Sequence, residues 1–406
     1  MGLASLACNL VKEGHEVELF DCMFLQKPLK DLKDKICRFA PDILGLSIRN
    51  LDNQNAQSPH SFLPYYQELV QSVRSIDPEL PIVLGGPGFS IFPDALMKVL
   101  GTEYGIIGEG ELALPKLIRQ IEGQCAKDGI QTGMNTPALT PAHRITSIPA
   151  QTYLPMRTYH DSQGSNGAAG AIPIELSRGC ARSCIYCTTP RIQGRSCRCR
   201  HPKVVVDEID NLHKRRRLKR FYLVGPAFNE PQDAAYSLCR ELSLRRLDIS
   251  FTALFYPCKT EDLLLDMALN CGLSMANVGI ESMCNPILKK LKRDYKSSDC
   301  KRLMKQLKSR GVKTQCFLLL GGPGESRDTV KRSIEEALKL EPDILNLQGG
   351  IRIYPGTTLQ ERAIEEGKID EMHNLLKPQF YIADPCQEWL GEYIEDLARE
   401  NDSITS

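Results

Sequence analysis

The sequence predicts an α/β chain in two parts, a doubly wound, Rossmann-like N-terminal domain followed by an incomplete (β/α)6 barrel of the TIM type. Three observations predict it. Short apolar runs suited to strands alternate with amphipathic stretches suited to helices over most of the chain. This rhythm breaks over 121–170, where Gly, Pro, Thr, Ser and Gln collect. A length of 406 residues also exceeds what one hydrophobic core ordinarily supports.

Residues 3–13 have the apolar spacing of a helix, and Val17 to Phe20 read as a short strand. Helix-like 30–39 leads into Ile43 to Ile48, 65–74 into Ile82 to Leu84, and 93–100 into Tyr104 to Ile107. Strands separated by helices make a parallel, doubly wound sheet. Such domains ordinarily begin on a buried strand, whereas this chain begins in a helix, so a first, central strand is expected to be missing. From Ile172 the alternation resumes, with strands near 172–176, 220–224, 249–255, 276–280, 314–320 and 344–354. Six such units make an incomplete barrel. After Lys368 the sequence turns short and polar, with one helix around Trp389 to Arg399. The expected limits are 1–125 for the first domain, 126–170 for a linker, 171–368 for the barrel and 369–406 for a C-terminal extension.

Composition narrows the function classes. The 51 basic and 50 acidic residues leave a formal charge of +1, which neither demands nor excludes nucleic acid, although a nucleic-acid partner is not expected. Sixteen cysteines are scattered through helix-like and strand-like segments, which is no disulfide scaffold. The opening MGLASLACNL lacks a basic region and a long apolar stretch, and no apolar run is long enough for a bilayer. A cytoplasmic protein with no membrane partner is expected.

Chemistry concentrates at Cys180-Ala-Arg-Ser-Cys184-Ile-Tyr-Cys187, directly after the strand-like IPIEL. Three thiolates then share one loop at the C-terminal mouth of a βα unit, where barrel enzymes place their reactive groups. Thiolate sulfur is the usual ligand of iron-sulfur iron, and three ligands leave one iron of a cubane open. A structural zinc site is the alternative, with Cys197 or Cys199 supplying a fourth ligand. Farther along, Phe317-Leu-Leu-Leu-Gly321-Gly322-Pro-Gly324-Glu325 is an apolar strand running into a Gly/Pro turn and a helix start.

The CxxxCxxC loop after the first barrel strand, with Tyr186 before its third cysteine, resembles the radical S-adenosylmethionine superfamily. The resemblance covers about 170–365 and implies that Cys180, Cys184 and Cys187 hold a 4Fe-4S cluster which cleaves S-adenosylmethionine to a 5′-deoxyadenosyl radical. Val278-Gly-Ile-Glu281-Ser282 resembles the strand whose acidic residue helps hold S-adenosylmethionine, and Gly321, Gly322, Gly324 and Glu325 resemble the family's GxPGE segment. Ile351-Arg-Ile-Tyr354-Pro355-Gly356-Thr357 resembles its last barrel strand. The stretch that contacts the methionine amino group departs from the family form, reading Tyr222-Leu-Val-Gly225-Pro-Ala-Phe228-Asn229-Glu230, with Asn229 as the polar residue near that contact.

In the first domain, Gly45-Leu-Ser47-Ile-Arg49-Asn50, Leu84-Gly85-Gly86-Pro87-Gly88 and Gly108-Glu109-Gly110-Glu111 each lie where a strand gives way to a loop, the place where such sheets form a ligand crevice. Their order resembles the cobalamin-binding domain that precedes the barrel in a large subfamily. The resemblance implies that Gly85, Gly86 and Gly88 admit the corrinoid or its tail, with Ser47 and Arg49 nearby. The chain has no Asp-x-His-x-x-Gly to place a histidine on cobalt.

Together these resemblances imply a cobalamin-dependent radical enzyme that methylates an unactivated carbon of a small metabolite or peptide. It would draw electrons from an external donor such as flavodoxin or ferredoxin. The alternatives are a cobalamin-linked cyclisation or rearrangement, or a metal-binding protein without activity.

Overall fold

The computed structural model describes residues 2–123, 139–141 and 170–405. The expected linker 126–170 therefore lies, apart from 139–141 and Gly170, outside the described residues. The first unit is built on a parallel sheet of β1 (Leu44–Ser47), β2 (Ile82–Gly85) and β3 (Tyr104–Gly105), in that order. Around it lie α1 (Gly2–Lys12), α2 (Pro28–Phe39), α3 (Leu63–Arg74), α4 (Gly86–Ile91), α5 (Pro93–Leu100) and α6 (Gly110–Glu122). Proline stands in the first turn of α2, α3 and α5, where its missing N–H costs nothing. Helices α2 and α5 stop where Ala40 and Gly101 turn left-handed. Ile48, Ile82, Leu84, Val73, Phe89 and Leu96 bury themselves between sheet and helices.

Two expectations fail here. Val17 to Phe20 is not a strand; among the described residues its backbone joins no ladder, and Val17 and Leu19 pack on Ala4, Ala7 and Cys8. Apolar alternation becomes a strand only where a sheet edge accepts it, and here Val17 and Leu19 are half-buried against α1 instead. Likewise the stretch after Gly85 is not an open loop but α4. Gly86 has φ +91°, and a Cβ there would stand 2.7 Å from the Ile48 carbonyl oxygen. The Gly88 N–H donates to that same oxygen at 2.9 Å. These two glycines admit the protein's own backbone. Gly86→Ala is accordingly expected to cost on the order of 1–3 kcal/mol in urea unfolding through strain. Gly85→Ala should be close to neutral, because a Cβ there meets nothing within 4 Å.

In the second unit, β4 (Ile172–Glu175) is followed by a ribbon in which β5 (Ser177–Arg178) runs antiparallel to β6 (Arg198–Cys199). Then come β7 (Arg220–Val224), β8 (Ser250–Phe255), β9 (Leu273–Glu281), β10 (Lys313–Leu320) and β11 (Ile344–Gly349). With helices returning the chain each time, β4 and β7 to β11 form one parallel sheet in sequence order. The strand expected over 344–354 breaks at Gly350, φ +82°, and β12 (Ile351–Arg352) leaves the sheet to pair with β13 (Phe380–Tyr381). Residues after 368 also join the barrel: the helix Leu390–Glu400 buries Leu390 and Ile394, and β14 (Ile404–Thr405) adds a seventh parallel strand beside β11. Phe221, Phe251, Phe255, Ile172 and Ile174 are among the largest fully buried side chains.

Two buried ionic clusters join the units. On one side Arg178 of β5 pairs with Glu111 (2.7 Å), Glu109 (3.2 Å) and Glu175 (2.9 Å), and Arg198 of β6 pairs with Glu109 (2.5 Å). Ser5 donates to Glu111, and Thr140 donates to both Glu109 and Glu111. The carboxylates expected to line an open crevice are thus turned into the second unit. On the other side Arg352 of β12 pairs with Asp52 at 2.9 Å, and Gln57 donates to the Gly349 carbonyl. The two ties lie next to β4 and β11, the first and last of the six strands that run in sequence order, with β14 lying beyond β11.

Candidate active site

The cysteine loop leaves the β5 ribbon through Gly179, whose φ of +82° and missing side chain are required because a Cβ would stand 2.2 Å from the Ser196 carbonyl oxygen. The Cys180 N–H donates to Gly194, and Cys187 donates back to Cys184. Ile185 is buried and ties the loop to the rest of the barrel, donating to Leu291 and accepting from Leu359. All three thiols are half-buried.

Two guanidinium groups face these sulfurs. Arg293 donates to the Cys184 sulfur at 2.9 Å and to the Tyr186 hydroxyl at 3.4 Å, and lies 3.7 Å from Glu281. Arg182 stands 4.0 Å from the Cys180 sulfur, pairs with Glu230, and stacks 3.4 Å above the Tyr256 ring. Tyr256 donates to Asp294. Tyr295 stands edge-on to Tyr256 at 5.1 Å and donates to the Gly279 and Ile280 carbonyls. Burial lifts the Cys184 thiol above its ordinary value and Arg293 opposes it. Burial also raises Tyr186, so its hydroxyl keeps its proton.

The donor set fits an anionic, thiolate-ligated cluster: the guanidinium groups of Arg182 and Arg293, fixed beside Cys180 and Cys184, offset the negative charge that such a cluster would bring. Among the described residues no three His, Cys, Asp or Glu side chains converge on one ion. A single zinc needs that convergence, whereas in a cubane each thiolate takes its own iron and the ligands stay apart.

Glu281 ends β9 in the left-handed region, φ 61°, at a bulge where the pairing with β10 shifts register. The bulge turns the Glu281 side chain towards Arg293, 3.7 Å away. A Cβ on Gly279 would come 3.2 Å from the Glu281 carboxylate, so the missing side chain leaves that carboxylate its place. Ser282 is buried and hydrogen-bonded to Ser333, a structural role.

At the end of β10, Gly321 and Gly322 donate their N–H groups to Glu325, whose carboxylate is buried and has one oxygen without a hydrogen-bond partner in the protein. Gly324, φ +79°, lets the Lys290 side chain pass where a Cβ would stand. Burial pushes Glu325 from the ordinary 4.5 to about 7, and the two glycine amides pull the other way. Since its folded value lies above its unfolded value, the stabilising protonated form is complete below pH 4.5 and is lost as pH rises through about 7. The cofactor-free protein should therefore lose on the order of 3 kcal/mol between pH 5 and 8 that Glu325→Gln does not lose, read from urea midpoints.

Asn229 takes a different place from the one expected. It is fully buried, donating to the Tyr256 carbonyl (2.9 Å) and the Thr260 hydroxyl (2.8 Å) and accepting from the Tyr256 N–H (2.9 Å). Both ends of its amide are engaged, so it fixes the Tyr256–Thr260 loop, and the neighbouring Glu230 is the group that reaches the surface. In the first unit Ser47 is half-buried beside Gly86, Arg49 is exposed at the end of β1, and Gly85 keeps open space before it. This lip can accept a bulky group that lies on the sheet edge. Tyr256, Arg293 and Tyr295 carry little signal in the sequence beyond the basic-aromatic Arg293-Asp-Tyr295 just after a helix, whereas Arg182 stands inside the cysteine loop itself.

Comparison with known proteins agrees with this geometry. The Radical SAM superfamily matches residues 174–337 and the B12 binding domain residues 1–118. An uncharacterised methyltransferase of Pyrococcus horikoshii is 25% identical over 375 residues, 90% of this chain and 78% of its own. The cytidylyl-2-hydroxyethylphosphonate methyltransferase of Streptomyces wedmorensis is 24% identical over 98% of this chain and 84% of its own. The radical S-adenosylmethionine methyltransferase TsrM from Kitasatospora setae, solved with cobalamin and a 4Fe-4S cluster, superposes with a TM-score of 0.82 at 22% identity, covering 100% of this chain and 89% of that one. With both domains matched in order and the cysteine loop in place, the chain is an enzyme of the radical S-adenosylmethionine superfamily, in the subfamily that carries a cobalamin-binding domain.

Proposed function

We propose that this enzyme methylates an unactivated carbon of a small metabolite or peptide in the cytoplasm, with a flavodoxin or ferredoxin as reductant. Its limits would be 1–125 for the cobalamin domain, 126–170 for the linker and 171–368 for most of the barrel, to which 369–406 would add its last helix and strand. One observation carries the reading: the C-terminal edge of the first sheet is fastened across the C-terminal mouth of the barrel, at Glu109 and Glu111 on one side and Asp52 on the other. That arrangement sets two cofactor-bearing edges face to face. When bound, the cluster and S-adenosylmethionine supply radical formation and cobalamin supplies a methyl carrier. The protein's own residues would orient and enclose them: Glu281 and the Gly321–Gly322 turn would hold S-adenosylmethionine, Arg293, itself bonded to Tyr186, would steady Cys184, and Ser47, Arg49 and the open side of Gly85 would receive the corrinoid. The methyltransferase names of the two curated relatives favour methyl transfer.

Anaerobically reconstituted protein should convert S-adenosylmethionine to 5′-deoxyadenosine under reduction, should retain added cobalamin through gel filtration, and should move labelled methyl from S-adenosylmethionine into an acceptor. A product with no added carbon would turn the assignment to cyclisation or rearrangement. A folded, reconstituted protein that neither consumes S-adenosylmethionine nor retains cobalamin would overturn it.

A further inference from the structure

Cys197 and Cys199 take no part in the site described above. Their sulfurs lie 3.7 Å apart, Cys197 exposed and Cys199 half-buried, on and beside the two-residue strand β6. The other close thiol pair, Cys239 and Cys271, is buried in the barrel core, where no soluble reagent reaches it. We infer that Cys197 and Cys199 form a redox-active vicinal dithiol that closes to a disulfide and in doing so withdraws Arg198 from the ionic cluster between the two units.

The geometry supplies each part of this. A disulfide needs the sulfurs at ~2.05 Å, so the pair must close by less than the diameter of one atom. Residues 197 and 199 lie on the same face of an extended strand, and bridging them pinches the strand out of its extended form. Strand β6 has only the two-residue pairing with β5 to hold it. Arg198, between the two thiols, points the other way and pairs with Glu109 at 2.5 Å while donating to the Gln193 carbonyl at 2.8 Å. The Cys199 thiol stabilises a Cys197 thiolate by hydrogen bonding, pulling Cys197 below the ordinary thiol value and making it the attacking sulfur. The reaction balances against a small-molecule disulfide such as glutathione disulfide: the Cys197 thiolate attacks it and one small thiol leaves, then Cys199 loses its proton and displaces the second. Two protein thiols are oxidised, one external disulfide is reduced, and no electron is left over. Because a Cβ at Gly179 would collide with the Ser196 carbonyl oxygen, the backbone of 196–199 rests directly on the start of the cysteine loop, so the pinch reaches Cys180 as well.

The full chain, with its cluster reconstituted, is equilibrated anaerobically with graded ratios of reduced to oxidised glutathione, quenched by alkylation and digested with trypsin. The expected result is that Ser196–Arg198 and Cys199–Arg200 are recovered joined, with two thiols lost per chain and the cluster absorbance kept. In Cys199→Ser the remaining Cys197 should carry one glutathione. Recovery of both cysteines separately alkylated at every ratio, or of glutathione on both without a link, overturns the dithiol. For the coupling, oxidation should lower the urea midpoint of the wild type and add nothing to the lowered midpoint of Arg198→Met; additive shifts would separate the disulfide from the ionic cluster. Neither readout uses substrate or turnover, so failure here leaves the proposed methyl transfer untouched.

Discussion

Cys184→Ala is expected to abolish the iron-sulfur absorbance of the reconstituted enzyme and, with it, reductive consumption of S-adenosylmethionine to below detection. The other two cysteines cannot compensate. Cys180 and Cys187 lie on either side of a loop whose middle is pinned by buried Ile185, so no neighbouring sulfur can swing into the vacated position. Arg293 gives a graded control. Arg293→Lys keeps a positive charge near Glu281 but loses the planar fork that reaches Cys184 and Tyr186 together. The cluster should still assemble, and because a hydrogen bond to a ligating sulfur favours the reduced state, its midpoint potential should fall relative to wild type. An unchanged potential, measured by electron paramagnetic resonance titration, would show that Arg293 only fills space. Full iron content in Cys184→Ala would show that another residue holds the cluster.

What the sequence showed and what it hid divide along sequence distance. The cysteine loop, the barrel strands and the glycine turn at 321–324 are local: spacing, apolar runs and turn residues announce them within a dozen positions. The residues that make the loop a site are remote. Arg293 reaches Cys184 across 109 positions, and Arg178 reaches Glu111 across 67. No periodicity links such partners. Asn229 was recognised as an important polar residue, but its partners, Tyr256 and Thr260, arrive only when β7 and β8 lie side by side. The same holds for Gly86 and Gly88: two glycines announce a close backbone approach, and only the fold shows that the approaching backbone is Ile48. Val17 to Phe20 failed for the complementary reason, since a strand pattern is local but the ladder it needs is not.

The largest effect on stability should come from Arg178→Leu, on the order of 3–5 kcal/mol in chemical unfolding, because it strands buried carboxylates without a counter-charge. Arg178 and Arg198 together offset Glu109, Glu111 and Glu175, and Arg178 touches all three carboxylates. The pH dependence distinguishes this from a simple loss of packing. In the wild type, burial works to raise Glu111, but the Arg178 hydrogen bond and charge win and hold it below the ordinary 4.5. A depressed folded value means the stabilisation is complete above 4.5 and drains away as pH falls through the folded value, so the wild type weakens on acidification. In Arg178→Leu the guanidinium is gone and only the backbone and Ser5 hydrogen bonds still oppose burial, which raises Glu111; protonation then relieves the site, and that variant should gain stability as pH falls towards 4.5, above the range in which the wild type weakens. The two curves should converge as pH falls from 7 towards 4. Adding Glu111→Gln to Arg178→Leu should restore part of the loss at pH 7, since the amide is neutral and can still accept from Ser5. Parallel curves, or no rescue in the double variant, would mean that Arg178 acts through its bulk and that the ionic cluster contributes little to holding the two units together.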